Sequence, residues 1–212
     1  MPPALIVIAK APVAGRVKTR LCPPCTPEQA ADLARASLQD TLHAAARSSA
    51  GRRIVVLDGE PGPWLPSGFE IIPQRGDGLE ERLAAAFDDV GEAAFLVGMD
   101  TPQLTPELLD SGLKAVITGD SAFGAALDGG YWGLGLRTPD AAVFAGVPMS
   151  SSRTGVVQRA QLAMLGLHPA ILPPLLDVDI FGDALAVAAE APETRFAAAV
   201  AAIEAELTEV AA

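Results

Sequence analysis

Lys10, Arg16, Lys18 and Arg20 place four cations within eleven consecutive positions of a 212-residue chain whose formal net charge is −11, and no acidic residue interrupts them. They follow an apolar run from Ala4 to Ala9 and share their segment with Pro12 and Gly15. A strand that empties into a basic, glycine-bearing loop and then a helix sets cations and free backbone N–H groups at the carboxyl edge of a sheet, where open α/β folds bind ligands. The chemistry this spacing suits is the capture of phosphate groups on a small molecule.

The acidic candidates follow apolar runs too. Asp100 comes just after Ala94 to Gly98, a short run of the kind buried on both faces, and Pro102 stops the chain from continuing the strand. Asp177 and Asp179 repeat the arrangement after Ile171 to Leu176, and alternate residues of an extended segment face one way. One carboxylate holds a hard divalent cation poorly, whereas two from different strand ends, completed by substrate phosphates and water, hold it well. The expectation is a Mg2+ or Mn2+ ion between Asp100 and Asp179, with helix capping as the competing role for Asp179. Asp128-Gly129-Gly130-Tyr131 adds a carboxylate, two residues that let backbone approach a ligand, and the chain's only tyrosine. A plain hairpin turn would use the same glycines. Gln74-Arg75-Gly76-Asp77-Gly78 is a loop that could touch a nucleobase through backbone groups and Arg75, with Gln74 and Gly76 as its binding residues.

Three familiar motifs are excluded. Lys18-Thr19 lacks the P-loop glycines, since Val17 and Pro12 stand at those positions. Gly133 and Gly135 lie inside a predicted strand with no helix opening after it, which rules out a dinucleotide fingerprint. Cys22 and Cys25 follow a basic loop rather than a strand, and His43 and His168 are poorly placed to complete a zinc site, so the pair is read as structural.

The acidic balance argues against nucleic acid and anionic membranes as partners, because their phosphates would be repelled everywhere except at the basic loop. The amino-terminal apolar run is far shorter than a membrane span and carries no basic region or cleavage site, so a cytoplasmic protein is expected. With 50% hydrophobic residues spread along the chain, one domain over residues 1–212 is the default. The sequence specifies no oligomeric state.

Element signals alternate. Thr26-Pro27-Glu28 opens a helix running to about Ser48; Arg53 to Asp58 and Phe69 to Pro73 are strands. Leu79 to Val90 has helical spacing, and a helix from Thr105 reaches about Val116. Strands at Ala122 to Leu127 and Tyr131 to Leu136 flank the Asp128 turn as a hairpin. Ser151 to Gly166 reads as a helix, and Asp183 to Ala189 and Glu193 to Val210 as terminal helices. This order predicts an α/β fold with helices on both faces of a mostly parallel, mixed sheet.

Taken together, AKAPVAGRVKTRL at 9–21, VGMDTPQL at 97–104, LDGGYWGLGL at 127–136 and DVDIFGDAL at 177–185 resemble the selenodomain-associated transferases, a bacterial family of GT-A fold. More distantly, the motif order is similar to the 2-phospho-lactate and molybdenum cofactor guanylyltransferases. The resemblance implies a three-layer α/β/α fold of the nucleotide-diphospho-sugar transferase type. It also implies that Gly15, Arg16, Lys18 and Arg20 hold nucleotide phosphates, that Asp100 binds the metal with Asp179 at a second metal-side position, and that Asp128 to Tyr131 line the acceptor or sugar side. The chain departs from the family at Ile180, where threonine is usual, and at Met149-Ser150, where the family has Trp-Ser.

The expected activity is a metal-dependent transfer from a nucleoside triphosphate to a phosphorylated or hydroxyl acceptor, releasing pyrophosphate. Lys10 joins the nucleotide side, Lys18 and Arg16 stabilise departing pyrophosphate, and Asp128 serves a hydroxyl acceptor as base. Two alternatives remain open at this level: a glycosyltransferase using a nucleotide-diphospho-sugar, and a non-catalytic nucleotide or phosphometabolite-binding module.

Overall fold

The first apolar run forms β1 (Ala4–Lys10), and its side chains divide between two cores: Leu5, Val7 and Ala9 enter one, Ala4 and Ile6 the other. Burial on both faces is why the run shows no polar alternation. In the computed structural model, which describes residues 2–211, β1 pairs in parallel with β2 (Arg53–Asp58) on one side and β4 (Ala94–Val97) on the other. β3 (Glu70–Pro73) extends the sheet beyond β2, also in parallel. β6 (Tyr131–Leu136) runs antiparallel to both β4 and β5 (Ser121–Ala126), and β7 (Ala170–Leu175) closes the far edge parallel to β5. The resulting order is β3-β2-β1-β4-β6-β5-β7, a mixed sheet in which β6 alone is reversed.

Helices α1 (Pro27–Arg47) and α3 (Pro106–Thr118) cover one face. The other carries α2 (Leu79–Val90), a 3-10 turn at Ala141–Phe144 and α4 (Thr154–Met164). α5 (Phe181–Glu190) and α6 (Arg195–Ala211) pack outside α1, where Phe196, Val200 and Ile203 meet Leu33 and Val187 in a third apolar cluster. The fold is therefore α/β in three layers, with a helix pair added outside α1. No helix among the described residues is long and apolar enough to cross a membrane.

Local sequence chemistry sets the helix starts. The Thr26 hydroxyl accepts from the Gln29 N–H, and Gln29 Oε1 accepts from the Thr26 N–H, closing a capping box with Pro27 at the first helical position. Thr105 and Pro106 repeat the device without the reciprocal bond. α4 starts three residues later than the sequence suggests, because Ser151 to Arg153 form a bent turn whose Ser151 carbonyl accepts from the Thr154 N–H. The basic loop likewise does not run straight into α1. A 3-10 turn at Thr19–Leu21 and the Cys22 to Pro24 stretch intervene, too short for any periodicity to reveal. Cys25 is buried beside Leu21 and Val178, and burial, followed by nearby Cys22, pushes its thiol pKa up. Both cysteines are unpaired, and a thiol held protonated in an apolar cluster is a packing group.

The Gly133-Leu134-Gly135 pattern has a packing cause. Phe95 of β4 lies across β6 and α3, edge-on to Trp132 at 5.8 Å and 88°. A Cβ on Gly133 would fall 2.7 Å from its Cζ, and one on Gly112 of α3 would fall 2.5 Å from its Cε1. Glycine to alanine inside a helix ordinarily stabilises by about 1 kcal/mol. Here Gly112→Ala is expected to destabilise by about 1–3 kcal/mol through overpacking, measured by urea unfolding; a gain in stability would contradict this packing.

Candidate active site

Strand order reverses at β1, whose neighbours β2 and β4 lead away in opposite directions, and ligands of open α/β sheets sit at the carboxyl ends beside such a point. An open cleft of about 940 Å³ lies there. Hydrogen bonds hold its floor. The Lys10 N–H donates to Met99 Sδ at 3.3 Å, and the Ser37 hydroxyl of α1 donates to the Met99 carbonyl at 2.6 Å. Gln103 Nε2 donates to the Leu176 carbonyl at 2.6 Å, and the Val178 N–H donates to the Asp100 carbonyl at 2.9 Å. The chain leaving β4 is thus stitched to the chain leaving β7, which carries Asp100 and Asp177 to one place.

Lys18 crosses this seam. Its Nζ lies 2.6 Å from Asp100 Oδ1 and donates to the Val178 carbonyl, with the side chain only 10% exposed. Its backbone is left-handed at φ 50°, a conformation costing a non-glycine residue on the order of 1–3 kcal/mol and tolerated where surrounding contacts fix it. Gly15, at φ +74°, turns the preceding loop. Arg20 reaches Asp179 at 2.7 Å, an exposed pair of small energetic weight. Lys10 and Arg16 are exposed at the cleft and have no carboxylate partner among the described residues.

The two acids leaving β7 have different surroundings. Asp179 pairs with Arg20 and lines the cleft together with Asp100 and Asp177, and it does not cap α5. Asp183 does the capping, its Oδ2 accepting from the Asp179 and Ile180 N–H groups at 3.1 and 2.9 Å. Beside Asp100 stands Asp177, whose Oδ1 is buried without a partner. Burial first, then the charges of Asp128 and Asp100, raise its pKa to about 6, partly opposed by its own backbone N–H and by Lys18. Among the described residues no three His, Cys, Asp or Glu side chains close into a metal cage. Asp100 and Asp177 instead offer hard oxygen donors with one orphaned lone pair, which fits a divalent cation completed by non-protein ligands.

Gln74 lines the cleft and also braces its framework, whereas Gly76 is not among the cleft-lining residues. Gln74 Nε2 donates to the carbonyls of Ala9 and Val56 at 2.8 and 3.1 Å, tying the ends of β1 and β2. Arg75 turns outward to Asp88 and Asp89, so it does not line the cleft. Arg82, which sequence reading missed, lines it together with Arg16 and Arg20; it binds Asp58 at 3.1 Å and the Gly76 carbonyl at 3.1 Å. Its position one turn inside α2 was the available signal.

Gly129 packs against protein, whereas Gly130 lines the cleft. A Cβ on Gly129, at φ +95°, would run into the Ser152 carbonyl, and the Gly155 N–H donates to the Gly129 carbonyl at 2.8 Å. The space Gly129 opens is filled by the loop before α4, and that of Gly130 by the Asp128 carboxylate. Asp128 Oδ1 accepts from the Gly130 N–H at 2.7 Å, and Asp128, Gly130 and Tyr131 line the cleft. The Tyr131 ring packs on Phe123 at 5.6 Å; its hydroxyl is buried without a partner, and burial pushes its pKa up, keeping it a neutral donor.

The raised Asp177 pKa has a stability consequence. The folded state holds this proton more tightly than the unfolded chain, so the penalty is absent below about pH 4, grows as pH rises, and is complete above about pH 6. In metal-free protein Asp177→Asn should therefore stabilise by on the order of 1 kcal/mol at pH 7.5, after allowance for solvent screening, and by nothing at pH 4. Urea unfolding at the two pH values checks this; an equal effect at both would contradict the assignment.

Solved structures share this architecture. A protein of Desulfovibrio desulfuricans G20, described as a candidate nucleotide-diphospho-sugar transferase, superposes with a TM-score of 0.86 over 99% of this chain and 98% of its own, at 26% identity. The 2-C-methyl-D-erythritol 4-phosphate cytidylyltransferase of Thermus thermophilus gives a TM-score of 0.55 over 91% and 100% of the two chains at 16% identity. Rv0371c of Mycobacterium tuberculosis, solved in complex with manganese, gives 0.53 over 88% and 98% at 21% identity. The fold is that of the nucleotide-diphospho-sugar transferase-like α/β proteins. No curated protein matches the chain significantly. Residues 28–151 match the family described as uncharacterized proteins conserved in bacteria (DUF2064), and the chain belongs to that family.

Proposed function

We propose that this protein is a divalent-metal-dependent nucleotidyltransferase, joining a nucleoside monophosphate unit from a nucleoside triphosphate to an acceptor and releasing pyrophosphate. The observation that carries the reading is the meeting of the unpaired cations Lys10 and Arg16, the anchored Lys18, and the carboxylates Asp100 and Asp177 in one cleft at the strand-order reversal. The likeness to the Desulfovibrio protein and the cytidylyltransferase supports a transferase, and the resemblance to guanylyltransferases supports the nucleotidyl type.

Asp100 and Asp177 would hold Mg2+ or Mn2+, and the manganese complex of Rv0371c supports that choice. When bound, the ion neutralises phosphate charge and polarises the phosphoryl oxygens. Lys10 and Arg16 receive the phosphates as charge-assisted donors, and Lys18, already fixed in place, needs no reorganisation to stabilise the departing pyrophosphate. Asp128 lines the same cleft near Asp177, where it can take the proton of a hydroxyl acceptor.

Glycosyl transfer from a nucleotide-diphospho-sugar is the second reading, favoured by the description of the Desulfovibrio relative. Two unpaired cations suit pyrophosphate, which carries more charge than a nucleoside diphosphate. Incubation with each of four nucleoside triphosphates, and separately with a panel of nucleotide sugars, in Mg2+ or Mn2+, should release pyrophosphate from a triphosphate; consumption of sugars alone would overturn the proposal. Arg16→Ala removes a charge-assisted contact of about 1.5–3 kcal/mol, so triphosphate affinity should fall roughly 10- to 100-fold with unfolding unchanged. An unaltered calorimetric titration would remove Arg16 from the phosphate site.

A further inference from the structure

The sheet order divides the cleft by charge. Its unpaired cations, Lys10 and Arg16, come from the end of β1 and the loop after it. Arg82, also from the β1 to β3 side, is held by Asp58. The opposite wall is built by chain leaving β5, by the start of β6, and by the loop before α4. Among the described residues that wall has no cation of its own, and Lys18, at the seam between the chains leaving β4 and β7, is paired with Asp100 and donates to the Val178 carbonyl. Arg153 and Arg159 do not line the cleft, and Arg137 donates to the Val116 and Ile117 carbonyls. Arg20 reaches across but is taken by Asp179.

Nor does the amino end of α4 offer an anion hole. The Thr154 N–H donates to the Ser151 carbonyl at 2.9 Å and the Gly155 N–H to the Gly129 carbonyl at 2.8 Å, so its first amides are spent. What the wall presents is hydroxyls. Tyr131 Oη is buried without a partner, and the Ser150 and Ser152 side chains line the cleft with no hydrogen bond among the described residues. Ser150 is held at φ +53°, and Ser152 is fixed by its contact with Gly129. Asp128 stands beside them, its Oδ1 in the turn and its Oδ2 without a hydrogen bond among the described residues.

We infer that the acceptor is an unphosphorylated, hydroxyl-bearing compound such as a sugar or polyol, seated against Tyr131, Ser150 and Ser152, because that wall supplies neutral donors and a carboxylate where a phosphate would need cations. The inference rests on the nucleotidyl-transfer reading. A phosphate placed there would lose its hydration to hydroxyls alone and face the Asp128 charge, whereas a hydroxyl compound satisfies the orphaned tyrosine. In the transfer, the acceptor hydroxyl oxygen bonds to the α-phosphorus, the bridging P–O bond to the β-phosphate breaks, and pyrophosphate departs with the electron pair. The hydroxyl proton passes to Asp128.

The test supplies Mg2+ and the triphosphate that binds best, then matched acceptor pairs: glycerol and glycerol 3-phosphate, ribose and ribose 5-phosphate, glucose and glucose 1-phosphate. Pyrophosphate release should be stimulated by a neutral member at least tenfold more, in kcat/KM, than by its phosphorylated partner. Equal or better use of a phosphorylated member overturns the inference, as does silence of every neutral member in protein that still binds triphosphate. Failure to bind any triphosphate defeats the underlying reading instead. Tyr131→Phe should raise the acceptor KM roughly five- to tenfold with triphosphate affinity unchanged; an unchanged KM removes Tyr131 from the subsite.

Discussion

The ion pair between Lys18 and Asp100 is the constraint on which the cleft depends. Asp100, Asp128 and Asp177 leave different strands and crowd one end of the site, and the raised Asp177 pKa records their mutual repulsion together with burial. Lys18 is the cation set among them, joined to Asp100 and to the Val178 carbonyl. It reaches that position only through a left-handed backbone at its own residue. A chain that accepts such backbone strain to bury a lysine amid carboxylates gains a charge that is already in position when phosphates arrive.

Topology does the remaining arrangement. With β1 at the reversal point, the basic loop after β1 and the acids after β4 and β7 leave the same sheet edge, and the reversed β6 brings Tyr131 to that edge from its starting end. The cross-links from Gln103 to Leu176 and from Val178 to Asp100 then fix strand ends that are not neighbours in the sheet. Glycine is used chiefly for fit. Gly112 and Gly133 make room for Phe95, and Gly129 makes room for Ser152.

Much of this was readable from residues alone. β2, α2 and β6 begin and end where the apolar patterns place them, because each is bounded by a local signal and buried on a defined face. The basic loop and Asp100 were legible for the same reason: a buried strand must deliver them to the sheet edge. The choice between Asp177 and Asp179 was not, since the two differ only in long-range partners, Arg20 and the Asp183 cap for one and the crowded acids for the other. Arg75 and Arg82 were exchanged likewise, because the acids that claim them lie on α2 and β2. The serine loop carried no local signal beyond its composition; its place in the cleft follows from contact with Gly129.

The proposed reaction requires that one metal and one run of phosphates share this cleft. A crystal structure with a non-hydrolysable nucleoside triphosphate and Mn2+, read at the manganese absorption edge, tests that requirement most directly. Anomalous density is expected against Asp100 and Asp177, with phosphates against Lys10, Arg16 and Lys18. Manganese away from those carboxylates, or phosphates seated on the Tyr131 and Ser152 wall, would contradict it.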